Sequence, residues 1–268
     1  MDVLAPAEEA AEAVGEPEIA PGTGVAADIE LAPVDAAEAA EEAPEEALLA
    51  AEGVPIDEAN FPDPVFREYV QGNFDLDGDG VLSQEERDAV DIIIFEPIGL
   101  TDLTGIEHFG NLTTLGADFN AIEALDVSQN TNLNYLWVSG NGMKALNLGE
   151  ITGLIELRAW VNALPELDVN HCEALEILDI NGNAFTELDV SACKSLRDLR
   201  CAGSHLSALD LSQNSKLQIL WCSQNPGIET IDLSGNPELT VLQCFETGIA
   251  IYALEDLPPE LYTIATIC

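Results

Sequence analysis

One unit of 21 residues, written six times between Leu112 and Glu238, constrains this chain more than any other feature. The copies start at Leu112, Leu133, Leu154, Leu175, Leu196 and Leu217; the first five are 21 residues long, the sixth is 22, and a degraded seventh starts at Leu239. Each reads L-x-x-L-x-x-x-x-N-x-ϕ-x-x-ϕ-[DN]-ϕ, with ϕ an aliphatic residue. In LTTLGA, LNYLWV, LIELRA, LEILDI, LRDLRC and LQILWC the fourth and sixth residues are apolar and alternate with variable ones, which is the period of a strand with one buried face. A strand this short cannot bury that face alone. Stacked in phase on its neighbours it joins a parallel sheet, and the leucines merge into one continuous core. The second half of each unit (LDVS, LNLG, LDVN, LDVS, LDLS, IDLS) adds two inward aliphatics, such as Leu125 and Val127, and returns the chain with no room for a long helix.

The ninth position is Asn120, Asn141, Asn162, Asn183 and Asn225, with Ser204 the exception. The unit resembles a leucine-rich repeat. That resemblance implies asparagines turned inward onto backbone groups of the bend, since an unpaired buried amide is costly. The expected fold is therefore a leucine-rich-repeat solenoid, with a parallel β-sheet on the concave face and short irregular or β returns on the convex side.

Ahead of the repeats, FPDPVFREYVQGNF places Phe66, Tyr69, Val70 and Phe74 on one helical face, started by Pro62 and Pro64. DLDGDGVLSQEE then matches a complete 12-residue EF-hand calcium loop. Asp75, Asp77 and Asp79 stand at positions one, three and five, and Gly80 makes the turn at six. Val81 would ligate through its carbonyl, Ser83 through water, and Glu86 as a bidentate carboxylate, while Leu82 points to the core. The competing reading is an acidic turn with a capping box, Ser83 to Glu86, opening the helix QEERDAV. It accounts for the serine and the glutamate but not for three alternating aspartates with a glycine. The first strand of a solenoid is an open edge that needs a cap. The expectation is a helical cap tied together by a structural calcium ion.

The segments FPDPVFREYV, FDLDGDGVLSQEER and LTDLTGIEHFGNLTTL together resemble secreted or surface leucine-rich-repeat proteins of Gram-positive, gut-type bacteria. These are related in architecture to internalins, whose amino-terminal cap is an EF-hand-like helical unit. The resemblance covers residues 56–250. It implies export, extracellular calcium sufficient to fill even a weak site, and a non-enzymatic recognition role.

The organisation expected is a disordered acidic linker at 1–55, a cap at 56–91, a degenerate first repeat at 92–111, six repeats at 112–238, and a degenerate last repeat and end at 239–268. Residues 1–53 hold 15 acidic residues and neither a basic nor an aromatic one, so little there can be buried. The tail past Cys244, with Pro258 and Pro259, either closes the array or leads into further chain.

The charge balance, 50 acidic against 8 basic residues and a net charge near −42, argues against nucleic-acid backbones and anionic membranes and favours cationic partners or metal ions. No run is long and apolar enough to cross a membrane, and Met1 is followed by neither a basic nor an apolar leader region. The expectation is an extracellular or cell-surface chain whose leader does not appear in these residues. Cys201, Cys222 and Cys244 fall at the inward sixth position and read as small core hydrophobes. Cys172 and Cys193 share a convex position at which a bridge is not excluded by distance.

Strand positions three, five and seven face outward. They carry Tyr135, Trp137, Glu156, Arg158, Trp160, Asp179, Asp198, Arg200, Trp221 and Phe245, including all three tryptophans of the chain. Exposed aromatics and arginines of this kind dominate interfaces, so the concave face is the expected site for a protein partner. The alternatives are a carbohydrate or cell-wall binding module using the same aromatics, and a spacer domain of a larger surface protein. The histidines His108, His171 and His205 are scattered, and no G-x-S-x-G, H-E-x-x-H or P-loop occurs, so no catalytic residue is expected.

Overall fold

The computed structural model describes residues 53–249; the bulk of the expected acidic linker and the frayed end from residue 250 lie outside the described residues. The chain enters through β1 (Val54–Pro55), helix α1 (Pro64–Asn73), β2 (Val81–Leu82) and the short helix α2 (Gln84–Asp88). β1 pairs antiparallel with β2, so the ordered cap begins ahead of the expected boundary at residue 56. Pro64 sits in the first turn of α1, and Asp63 is its N-cap, accepting from the amides of Val65 and Phe66. A proline's missing N–H costs nothing there, and the aspartate supplies acceptors for the orphan amides. The helix buries Phe66 and Val70 and half-buries Tyr69 and Phe74, as the spacing requires.

Those aromatics lock the helical segment onto the first coil. Phe66 meets Phe95 edge-on at 5.8 Å between centroids, Tyr69 meets Phe95 at 4.7 Å, and Phe74 meets Phe109 at 5.3 Å. Edge-to-face geometry of this kind adds to area burial. A second tie is polar. Asp63 Oδ2 accepts from the amide and the hydroxyl of Thr101 at 2.9 and 2.7 Å, linking the N-cap of α1 to a loop 38 residues away.

From there the chain winds as a solenoid. β3 (Ile92–Ile94), β4 (Thr114–Gly116), β6 (Tyr135–Trp137), β8 (Glu156–Arg158), β9 (Ile177–Asp179), β10 (Asp198–Arg200), β11 (Ile219–Trp221) and β12 (Val241–Gln243) form one parallel sheet in that spatial order. On the return side β5 (Ala124–Asp126) pairs only with β7 (Ala145–Asn147), and the later returns are irregular. The register is constant: Ile93, Leu115, Leu136, Leu157, Leu178, Leu199, Leu220 and Leu242 are consecutive partners, all fully buried. Each such side chain contributes about 1.5–3 kcal/mol on burial. A two-residue repeat within a 21-residue repeat therefore fixes both strand direction and stacking.

Two polar devices recur along the coils. The ninth-position asparagines form a ladder: Asn183 Nδ2 donates to the carbonyls of Ala159 and Ile180, and its Oδ1 accepts from Leu164. Asn141, Asn162 and Asn225 repeat this pattern. At Ser204 the ladder has a gap, and the buried Oγ has no partner. On the convex side Asp126, Asp168, Asp189, Asp210 and Asp232 each accept the amide two residues on. These Asx turns explain the [DN] of the repeat unit.

The core thiols are small hydrophobes. Cys172, Cys193, Cys201 and Cys222 are buried and free, so Cys172 and Cys193 are not bridged. Cys244, at the same register position as Cys201 and Cys222, is disulfide-bonded, unlike the expected free core thiol. Burial pushes the Cys172 thiol up to about 11 and those of Cys193 and Cys222 up to about 12.

Candidate functional site

The loop between α1 and α2 brings together a cluster of carboxylates. One oxygen each of Asp75, Asp77 and Glu86 lies within 4.8 Å of the others. Calcium ligands sit 2.3–2.6 Å from the ion, hence no more than about 5 Å apart across it, so the set fits one ion of that size. The backbone is shaped for it. Gly78 and Gly80 adopt φ of 74° and 83°, and Asp75 Oδ1 and Oδ2 accept amides of Gly78, Asp79 and Gly80. Asp79 stands outside the cluster, since its Oδ1 turns back to accept the amide of Val81 at 2.7 Å. Val81 lies in β2, paired with Pro55. Ser83 is occupied by the capping box: its hydroxyl accepts from the Glu86 amide, and the Glu86 carboxylate accepts from the Ser83 amide. Burial of Glu86 works to raise its carboxyl, but hydrogen bonds from Ser83 and Leu76 prevail and hold it below the usual range. Capping box and carboxylate cluster thus coexist in one loop.

The concave face is built by the sheet register. The fifth strand position reads Ile94, Gly116, Trp137, Arg158, Asp179, Arg200, Trp221 and Gln243 across eight adjacent strands. Gly116 sits between Ile94 and Trp137 in this row, and a Cβ there would stand 3.2 Å from Ile94 and 3.4 Å from Trp137. The Arg158 guanidinium lies over the Trp137 ring at 5.9 Å and pairs with Glu156, whose Oε1 also accepts from Trp137 Nε1 at 2.9 Å. Arg200 lies over Trp221 at 4.3 Å and grips Asp198 with two bonds of 3.0 and 2.8 Å. These pairings cover Glu156 and Asp198, which are buried on a face the alternation alone marks as outward. Val241 stands beside Trp221 where Glu156 stands beside Trp137, and the Trp221 Nε1 is buried with no acceptor. Tyr135 is half-buried with its ring 6.3 Å from Trp137, and Phe245 is exposed.

The eighth strand position also belongs to this surface, although alternation did not single it out. Phe119, Val161, Gln224 and Glu246 adopt φ between 52° and 57°, where Gly140, Gly182 and Gly203 stand in the coils between. Recurrent glycine in one repeat column is the sequence signal for that conformation. Phe119 and Val161 are more than half exposed despite being large and apolar. The Phe119 ring lies over Gly140, where a Cβ would come within 2.6 Å, and meets Trp160 edge-on at 5.3 Å. Bulky side chains in left-handed backbone cost roughly 1–3 kcal/mol each and concentrate at functional surfaces.

No protein-family model matches this chain, and no curated protein does. Solved structures do. The functional domain of InlJ from Listeria monocytogenes, which includes a cysteine ladder, matches at 31% identity and a TM-score of 0.60, over 73% of this chain and 48% of that one. Internalin C2 of Listeria monocytogenes matches at 22% identity and a TM-score of 0.64, over 81% of this chain and 98% of that one. The fold is an internalin-like leucine-rich-repeat solenoid. A leucine-rich-repeat protein of Leptospira interrogans shares this fold at 19% identity, with a TM-score of 0.54 over 67% of this chain and 56% of that one. This chain spans about half the length of the InlJ domain. Among the described residues no helix is long and apolar enough to cross a membrane.

Proposed function

We propose that this internalin-like solenoid is a non-enzymatic recognition module, extracellular or on a bacterial surface, that binds a protein partner through its concave sheet. The observation that carries the reading is the concentration of Trp137, Trp160, Trp221, Arg158 and Arg200 on the outward face of one parallel sheet. Aromatic and arginine side chains held rigidly by the backbone make effective hot spots. The glycan reading is weaker on geometry. A sugar platform needs an open ring face, yet Trp137 lies between Gly116 and the Arg158 guanidinium, and Trp221 lies under Arg200. The test is retention of proteins on immobilised wild type and on a Trp137→Ala, Trp160→Ala double variant. Partners held by the first and released by the second support the reading; equal retention rejects it. A glycan array run on the same two proteins decides the alternative.

A structural calcium ion in the loop Asp75–Glu86 completes the proposal, supported by the clustered oxygens of Asp75, Asp77 and Glu86. Its role is to join α1 and α2 over the first coil, where the aromatic contacts of Phe66 and Phe74 fall. Asp79 would join through its other oxygen, Oδ2, while Oδ1 keeps the Val81 amide, Val81 through its carbonyl, and Ser83 through a bridging water. Binding to the folded state alone stabilises by RT ln(1 + [L]/Kd), about 2.7 kcal/mol at a hundredfold excess over Kd. Melting in EDTA and in excess calcium reads this directly, and identical melts reject it.

A further inference from the structure

We infer that the depression floored by Asp179 on the concave face is a subsite for one lysine or arginine side chain of the protein partner; this rests on the concave-face reading and names what the partner must present. The depression is open, about 350 Å³ in volume, and lined by Arg158, Trp160, Ile177, Asp179, Asp198 and Arg200. Its form follows from the register. Trp137, Arg158, Asp179, Arg200 and Trp221 are consecutive partners on five neighbouring strands, so the row is symmetric about Asp179.

Each arginine makes its short contacts with groups other than Asp179. Arg158 is drawn toward Trp137 and Glu156, and Arg200 toward Trp221 and Asp198. Asp179 is left with little. Its Oδ1 accepts the amide of Asn181 at 3.2 Å, while Oδ2 approaches Arg200 Nη1 only to 3.9 Å, beyond hydrogen-bond distance. Counting the two arginines against Glu156, Asp179 and Asp198 leaves one negative charge, and it resides at the floor of the depression.

The sign of the ligand follows. Both guanidiniums already hold carboxylates and cover indole rings, so an incoming anion would have to compete with Glu156 and Asp198 for them while facing the Asp179 carboxylate. An incoming ammonium or guanidinium meets an under-paired carboxylate, and its methylene stem meets Trp160 and Ile177. Burial holds the Asp179 carboxyl above the ordinary range even with Arg200 and Asn181 opposing. A partly desolvated carboxylate of this kind gains more from a cation than one in water.

The three tryptophans all lie on this face, so intrinsic fluorescence reports on it alone. The probes are Nα-acetyl-lysine methylamide, the norleucine analogue with the same stem and no charge, and the glutamate analogue. The expected result is saturable quenching by the lysine compound, at least tenfold weaker with norleucine and absent with glutamate. Asp179→Asn, which keeps the acceptor for Asn181, should abolish the lysine response with an unchanged melt. Asp189→Asn, on the convex return, should leave it intact. A response to glutamate or norleucine equal to that of lysine, no response to any probe, or a full lysine response in Asp179→Asn overturns the inference. If the Trp137→Ala, Trp160→Ala variant releases captured proteins while the lysine probe fails, only the cation subsite is wrong. If those proteins stay bound to the double variant, the concave-face reading itself fails.

Discussion

Replacing Asp63 by asparagine tests how the helical cap is fastened to the coils. Asp63 is 4% exposed and serves two structures at once. Its Oδ1 caps α1 through Val65 and Phe66, and its Oδ2 accepts the Thr101 amide and hydroxyl and, at 3.3 Å, the Asp102 amide. Asparagine keeps the first function and inverts the second, because its NH2 then faces buried N–H donors. Hydrogen bonds to a charged group are worth about 1.5–3 kcal/mol each, and the Thr101 hydroxyl can rotate to recover one, so the expected loss is about 3 kcal/mol. For a described region of this size that corresponds to a fall of roughly 6–12 °C in Tm. The pH dependence supplies a second reading. Burial works to raise the Asp63 carboxyl, but bonds from Thr101, Phe66 and Val65 hold it below the ordinary 3.8. A depressed carboxylate contributes stability in full above its unfolded value and loses it as pH falls through the folded value. The gap between wild type and Asp63→Asn should therefore be constant from neutrality to mild acid and close below the ordinary aspartate pKa. Thermal melts followed by circular dichroism in excess calcium measure it. A gap under about 1 kcal/mol at neutral pH, or one that widens in acid, would refute a role for Asp63 as the fastening.

Ser204→Asn should raise stability by about 1 kcal/mol, since the pattern of the neighbouring coils directs its carboxamide to Ile180, Cys201 and the Phe185 amide; a lower Tm than wild type speaks against a vacant rung. Cys172, Cys193, Cys201 and Cys222, buried and with thiols pushed upward, should resist Ellman's reagent at mildly alkaline pH until denaturant is added, and rapid labelling of the native protein would contradict the packed-thiol account. Asp77→Ala should sharply reduce the calcium-dependent rise in Tm while costing the EDTA melt no more than about 1 kcal/mol, because Asp77 is exposed and loses there only the acceptor for the Asp79 amide; an undiminished calcium shift excludes Asp77 as a ligand.

The repeat was legible because its physics is local and repeated. Leucine spacing dictates which side of each strand is buried, and a constant period dictates that equal positions stack, so Leu115 to Leu242 form one column and Trp137, Arg158, Asp179, Arg200 and Trp221 one outward row. The closeness of Asp75, Asp77 and Glu86 was legible for the same reason, since a turn that gathers carboxylates writes them at fixed offsets, whereas the position of Asp79 outside that cluster was not. Contacts between side chains far apart in sequence were not. No pattern links Asp63 to Thr101, pairs Val54–Pro55 with the loop strand, or shows that Arg158 and Arg200 fold back onto Glu156 and Asp198 and bury them. Nor does alternation reveal that Phe119 and Val161 take left-handed backbone at a bend where other coils use glycine. Periodicity fixes the direction in which a side chain leaves the backbone. What it then touches depends on its neighbours in adjacent coils, and that was decided only by the tertiary structure.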